Sequence, residues 1–203
     1  MEKLKLEIPS LERKNDAISY IEEFLEYNSE INGVGGLHRY LDNYEGWLIK
    51  LEEDYVRTPN EEKVPARTYF LVRESDNKIV GMINIRLTLN ERLKKLGGHI
   101  GYSIRPTERR KGYNKINLYL GLMVCQNYGI KEVFMDCDKD NPASARTMLA
   151  LGAKLVREWY EDKEYNTIIQ DYILNVDESL EKYKEIYENL TSEDNILIKK
   201  VVK

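Results

Sequence analysis

The chain has 203 residues, a formal net charge of −4, and 42% hydrophobic and 33% charged side chains. That length builds a core without disulfides or metal, and the apolar content is too high for a disordered chain. The negative balance gives no general attraction to nucleic acid or to an anionic membrane, so neither is an expected partner, and any anion site has to be local.

Residues 3–8 alternate polar and apolar and predict a first strand. Asp16 opens a helix with Ile18, Ile21 and Leu25 on one face, and Asn32-Gly33-Val34-Gly35-Gly36 breaks it. A second helix is expected over residues 39–55, with Tyr40, Tyr44, Trp47, Leu48 and Leu51 inward, and residues 58–65 read as a polar loop. The pattern then turns to strands at 68–73 and 79–87 around an Asp76-Asn77-Lys78 turn. A helical turn at 91–98 and a strand at 99–104 follow. Residues 114–128 are apolar nearly all round, which predicts a buried helix, and 133–137 a short strand. Asn141-Pro142 is a helix start, since the Asn side chain accepts a backbone N–H and proline at the first helical position loses no needed donor. Gly152 ends that helix. Strands at 154–159 and 166–174, a helix at 178–190 and a basic, apolar tail at 196–202 complete the chain. Helices on both faces of one mixed sheet is the packing this order predicts. Cys125 and Cys137 lie in apolar stretches and read as buried reduced thiols. With no leader-like start and no apolar run near the roughly 20 residues of a membrane helix, a cytoplasmic location is expected.

The chemistry concentrates in Arg105-Pro106-Thr107-Glu108-Arg109-Arg110-Lys111-Gly112-Tyr113-Asn114, which leaves a strand and opens the buried helix. A helix mouth presents N–H groups without intrahelical partners and the positive end of the helix dipole. Three consecutive cations precede it and Gly112 permits close backbone approach, so the stretch suits a pyrophosphate. Other patterns lack their parts. Asp136-Cys137-Asp138-Lys139-Asp140 begins like a calcium loop but has Asn141 at its sixth position and Thr147 at its twelfth. Gly33-Val34-Gly35-Gly36 follows a helix and lacks a third spaced glycine, so it is no dinucleotide fingerprint. Two distant histidines, His38 and His99, make no zinc site, and no metal is expected.

Arg109-Arg110-Lys111-Gly112-Tyr113-Asn114 resembles the Gln/Arg-x-x-Gly-x-Gly/Ala loop of the GNAT acetyltransferase superfamily, and Asn141-Pro142-Ala143-Ser144, closing on Leu151-Gly152, resembles that family's later helix. The match runs over about residues 68–174. Three positions depart from the pattern: Asn114 stands at the last loop position, Met148 where many members carry an acidic tyrosine, and Gly152-Ala153 where Gly-Phe is usual. The resemblance implies an α/β (α+β) GNAT fold, with about seven strands in a mixed central sheet flanked by helices on both faces. The sheet would be splayed between strands 99–104 and 133–137. It implies a single domain over 1–174, with 175–203 a helical extension packed on it.

The implied activity is transfer of an acetyl group from acetyl-CoA to a primary amine of a small molecule or peptide, by a monomer or homodimer. A coenzyme A-binding module with little catalysis is the alternative. Arg109, Arg110, Lys111, Gly112, Tyr113, Asn114, Asn141 and Ser144 would serve the coenzyme, with backbone near Ile104 along its pantetheine arm. His99 stands on the key strand with an ordinary pKa of about 6.5, as base for the amine or as a hydrogen-bonded structural residue. Tyr102, on the opposite face by parity, is the candidate replacement acid or a core tyrosine.

Overall fold

A computed structural model describes residues 2–162 and 166–192. The predicted tail at 196–202 lies outside the described residues. Six helices and seven strands follow one another as β1 (Leu4–Glu7), α1 (Lys14–Glu26), α2 (Tyr44–Val56), β2 (Ala66–Arg73), β3 (Lys78–Arg86), α3 (Glu91–Lys95), β4 (Ile100–Ile104), α4 (Tyr113–Asn127), β5 (Glu132–Asp138), α5 (Pro142–Ala150), β6 (Lys154–Glu161), β7 (Thr167–Asn175) and α6 (Val176–Tyr187).

The strands form two antiparallel sheets, ordered β1-β2-β3-β4 and β5-β7-β6. The division falls between β4 and β5, where the splay was expected. Each face of the first sheet carries its own core, and side-chain alternation assigns them. Phe70, Val72, Ile79 and Met82 pack under α1 and α2 with Ala17, Tyr20, Ile21, Phe24 and Trp47. Tyr69, Leu71, Val80, Ile83 and Ile85 pack under α4 with Ile116, Leu118 and Leu120, in a core that also takes Val176, Leu180 and Tyr187 of α6. The change of parity along β3 comes from a bulge: Leu71 pairs with Gly81 and Val72 with Ile79, leaving Val80 as the extra residue.

Two helix readings are corrected. On α1 the buried stripe is Ala17, Tyr20, Ile21 and Phe24, while Leu25 is 59% exposed. Tyr20 belongs inside because its hydroxyl finds Ser103 Oγ at 3.0 Å, so the ring is buried without stranding its polar end. α2 starts at Tyr44 rather than residue 39, because Asn43 caps it by accepting the Gly46 N–H at 3.1 Å, and Leu37–Arg39 form a separate 3-10 turn.

The two sheets meet at one joint. His99 N–H donates to the Phe134 carbonyl at 2.7 Å, and Phe134 N–H donates to His99 Nδ1 at 3.0 Å. Arg86 secures the turn before it, donating to the Gly97 and Gly98 carbonyls at 2.6 and 2.8 Å, and Gly97 N–H donates to the Asp136 carboxylate. Gly98 has φ +53°, and a Cβ there would collide with the Phe134 carbonyl oxygen. Gly98→Ala therefore combines left-handed strain with a backbone clash, and is expected to destabilise the fold by about 2–4 kcal/mol in urea unfolding.

Candidate functional site

β4 ends at Ile104, which pairs with Gly81 of β3 and is buried. The chain then makes a 3-10 turn over Pro106–Glu108 and enters α4 at Gly112. Backbone is left-handed at Arg110 (φ 64°) and at Gly112 (φ 82°), the type of turn in which successive N–H groups form a concavity for an anion. No side chain caps α4. Lys115 N–H bends back to the Gly112 carbonyl at 3.2 Å, and among the described residues the N–H groups of residues 110–114 have no acceptor. A Cβ on Gly112 would meet nothing within 4 Å, so open space and a left-handed backbone, not packing, account for glycine there.

The basic residues of this loop differ in what they already hold. Arg109 donates from Nε to the Ile104 carbonyl at 3.2 Å and from Nη2 to Ser29 Oγ at 2.7 Å, and lies over the Phe24 ring. Lys111 Nζ sits 2.7 Å from the Glu108 carboxylate. Arg110 is exposed and makes no ion pair among the described residues. Glu108 is 5% exposed and is met by Arg73 at 2.7 Å, Lys78 at 3.5 Å and Lys111. Burial opposes its charge, but the hydrogen bonds from Arg73 and Lys111 outweigh that and hold the carboxyl at about 2. Tyr113 is buried, its hydroxyl accepting from Arg73 at 3.3 Å.

Across the split, Tyr102 and Ser144 meet. The phenol and Ser144 Oγ share a hydrogen bond of 2.9 Å, joining β4 to α5. Asn141 works as the helix cap, accepting Ser144 N–H at 3.1 Å. Asn114 reaches α5 one turn further, donating to Thr147 Oγ1 at 3.3 Å, while its own buried Oδ1 has no hydrogen-bond partner among the described residues. Burial pushes the Tyr102 phenol well up and the nearby Cys137 thiol to about 11, so both are neutral at pH 7. Met148 is fully buried in the α4 core.

His99 is not part of the Tyr102–Ser144 cluster. Its Nδ1 takes the Phe134 N–H, which assigns the proton of the neutral ring to Nε2. Burial lowers its pKa, so that neutral ring is the state at pH 7. On the α1 side of β4, Ser103 Oγ donates to the Asn32 carbonyl at 2.5 Å, and a Cβ on Gly33 would strike the backbone of Gly101 and Tyr102. The glycine turn thus lies directly on β4. His38, beside it, accepts from Arg39 Nε at 3.2 Å.

Two features were not read from the sequence. One is the buried Glu108 under the loop; the other is Arg105, 3% exposed and paired with Asp16 at 2.9 Å and Glu23 at 3.2 Å. The spacing of Asp16 and Glu23, two turns apart on one helix face, is a signal for a shared partner but does not name it. Among the described residues no group of three or more His, Cys, Asp or Glu side chains is placed to hold a metal, and no helix is long and apolar enough to cross a membrane.

The acetyltransferase (GNAT) family model matches residues 35–153. None of the curated protein sequences matches the chain. Among solved structures, the chain is similar to Mycobacterium smegmatis RimJ in complex with CoA-disulfide, with a TM-score of 0.67 and 11% identity over 90% of this chain and 88% of that one. It is also similar to the dodecameric spermidine N-acetyltransferase from Vibrio cholerae in an intermediate state, with a TM-score of 0.62 and 12% identity over 89% of this chain and 98% of that one. At these identities the likeness is one of fold.

The Glu108 cluster sets a pH dependence of stability. The carboxyl sits near 2 when folded against its usual 4.5, so its contribution is complete above pH 4.5 and is lost as pH falls through about 2. Glu108→Gln is expected to remove roughly 2 kcal/mol of that acid-sensitive stability, seen as a flatter dependence of the urea midpoint on pH below 4.5.

Proposed function

The chain belongs to the GNAT acetyltransferase family, and on that premise we propose that it moves an acetyl group from acetyl-CoA to a primary amine of a small molecule or peptide. The amine attacks directly while both substrates are held together. The observation that carries this reading is the row of N–H groups at residues 110–114, without acceptors among the described residues, at the mouth of a buried helix. Those amides fit a diphosphate: the helix dipole favours negative charge there, and the space before Gly112 is open.

In this reading Arg110 is the cation free to meet a phosphate, Lys111 reaches it by leaving Glu108, and Arg109 serves by fixing the loop against Ile104 and Ser29. Asn141 and Asn114 keep α5 and α4 in place beside the split. When bound, acetyl-CoA supplies an activated thioester carbonyl. The protein's part is to orient it beside the unpaired edge of β4, where backbone N–H groups serve a developing oxyanion, and to hold the amine close. Tyr102 is the protonated hydroxyl in the split, and with Ser144 it is placed to donate a proton to a departing thiolate. His99 is neutral at the closed end of the split; with Nδ1 accepting the Phe134 N–H and the ring hydrogen on Nε2 it has no lone pair for the acceptor's proton, so we assign it to holding the joint and the amine's proton to water.

Coenzyme A binding with little catalysis is the second reading. It is favoured by Met148, which is buried where the family often carries a proton donor. Acetyl-CoA mixed with the protein and a panel of primary amines separates the two, with free thiol followed over time. Thiol release with at least one amine is expected; tight coenzyme binding with none released selects the second reading. Gly112→Asp places a carboxylate among the amides and is expected to weaken coenzyme A at least about tenfold by calorimetry. His99→Ala is expected to lower the urea midpoint by removing the acceptor of the Phe134 N–H, whereas a fall in kcat of about a hundredfold at unchanged stability would restore it as the base.

A further inference from the structure

We propose that Glu23 of α1 is a positioning residue for the coenzyme loop, and that with Arg105 it ties α1 to the amides that grip the diphosphate. The inference rests on the acetyl-CoA reading above. One Glu23 oxygen accepts both the N–H and the hydroxyl of Thr107, each at 2.8 Å, and the other accepts from the Arg105 guanidinium at 3.2 Å. Burial opposes its charge, but these bonds keep the Glu23 carboxyl below the usual range.

Arg105 is anchored from below. Its Nε donates to the Ile79 carbonyl and its backbone N–H to the Val80 carbonyl, both at 2.9 Å, and the guanidinium pairs with Asp16. Asp16 in turn accepts the Ile79 N–H at 2.7 Å. The loop between Thr107 and Gly112 has little internal structure beyond one 3-10 turn, and it contains a left-handed Arg110. Its amides need external fixation to stay aimed at one point, to within about 0.5 Å for a working site. Glu23 is the clamp on the turn that begins it.

The same helix leads through Ser29, which holds Arg109, to the glycine turn seated on β4. Glu23, Arg105 and Arg109 together therefore tie the loop to α1 and to the segment that follows it.

Calorimetry with coenzyme A on the full chain tests this, with melting temperature measured on the same samples. Glu23→Ala is expected to weaken coenzyme A about tenfold, and Glu23→Gln, which keeps an acceptor oxygen, only about threefold. Thr107 is exposed, so Thr107→Val spares the core, and it should weaken binding about threefold by removing the hydroxyl partner. Leu180→Ala, in the α6 core, should lower the melting temperature and leave the dissociation constant unchanged. If Glu23→Ala and Thr107→Val both bind coenzyme A like the wild type, the clamp is refuted while the coenzyme site stands. If the wild type shows no affinity at all, the coenzyme reading fails and the clamp with it.

Discussion

Beyond His99, β4 has a strand on one side only. On the other side, among the described residues, the hydrogen bonds that would continue the sheet are made at a single place, His99 to Phe134, and stop there. Backbone N–H and C=O groups left without a ladder seek partners. In the proposed function, that unpaired edge of β4 is the slot for an extended polar chain. Everything else in the site serves that slot: Gly97 and Gly98 let the strands meet closely at the joint, Arg86 and Asp136 fix those glycines, and Tyr102 with Ser144 ties the far side.

Electrostatics at the loop are arranged in two tiers. Below, buried Glu108 gathers Arg73, Lys78 and Lys111, and buried Arg105 gathers Asp16 and Glu23. Such pairs contribute less to net stability than their number suggests, because each charge has given up water. Their value here is geometric. Above them the amides of residues 110–114 remain unsatisfied among the described residues, so in the proposed function the charge that meets a diphosphate comes from the backbone and from Arg110. A protein with a net charge of −4 can hold an anion this way because the field is local.

What was legible in the sequence was what is decided within a few residues. The mouth of α4 was legible because Gly112 and the apolar run after it are contiguous, and the start of α5 because Asn141 caps the helix that Pro142 begins. The division of the strands came from the family resemblance. The stripe on α1 was misplaced because Tyr20 is buried by virtue of Ser103, 83 residues later. The sequence groups Arg109, Arg110 and Lys111 together as coenzyme residues because nothing local says that Arg109 and Lys111 are already engaged. Residue identity leaves His99 between two roles for the same reason: its partner is a backbone N–H on β5, and backbone groups leave no trace in residue identity.

The bulge at Val80 carries a consequence for how this chain can vary. Side chains along β3 have a reading frame, and Val80 is the single insertion that shifts it between the two cores. The same extra residue presents the carbonyl that receives Arg105 as it leaves β4. Losing one residue there would exchange the inward and outward faces of half a strand and, at once, unhitch the chain where it turns toward α4. The turns can therefore take a change in length that this position cannot, a fixed comma in an otherwise editable sentence.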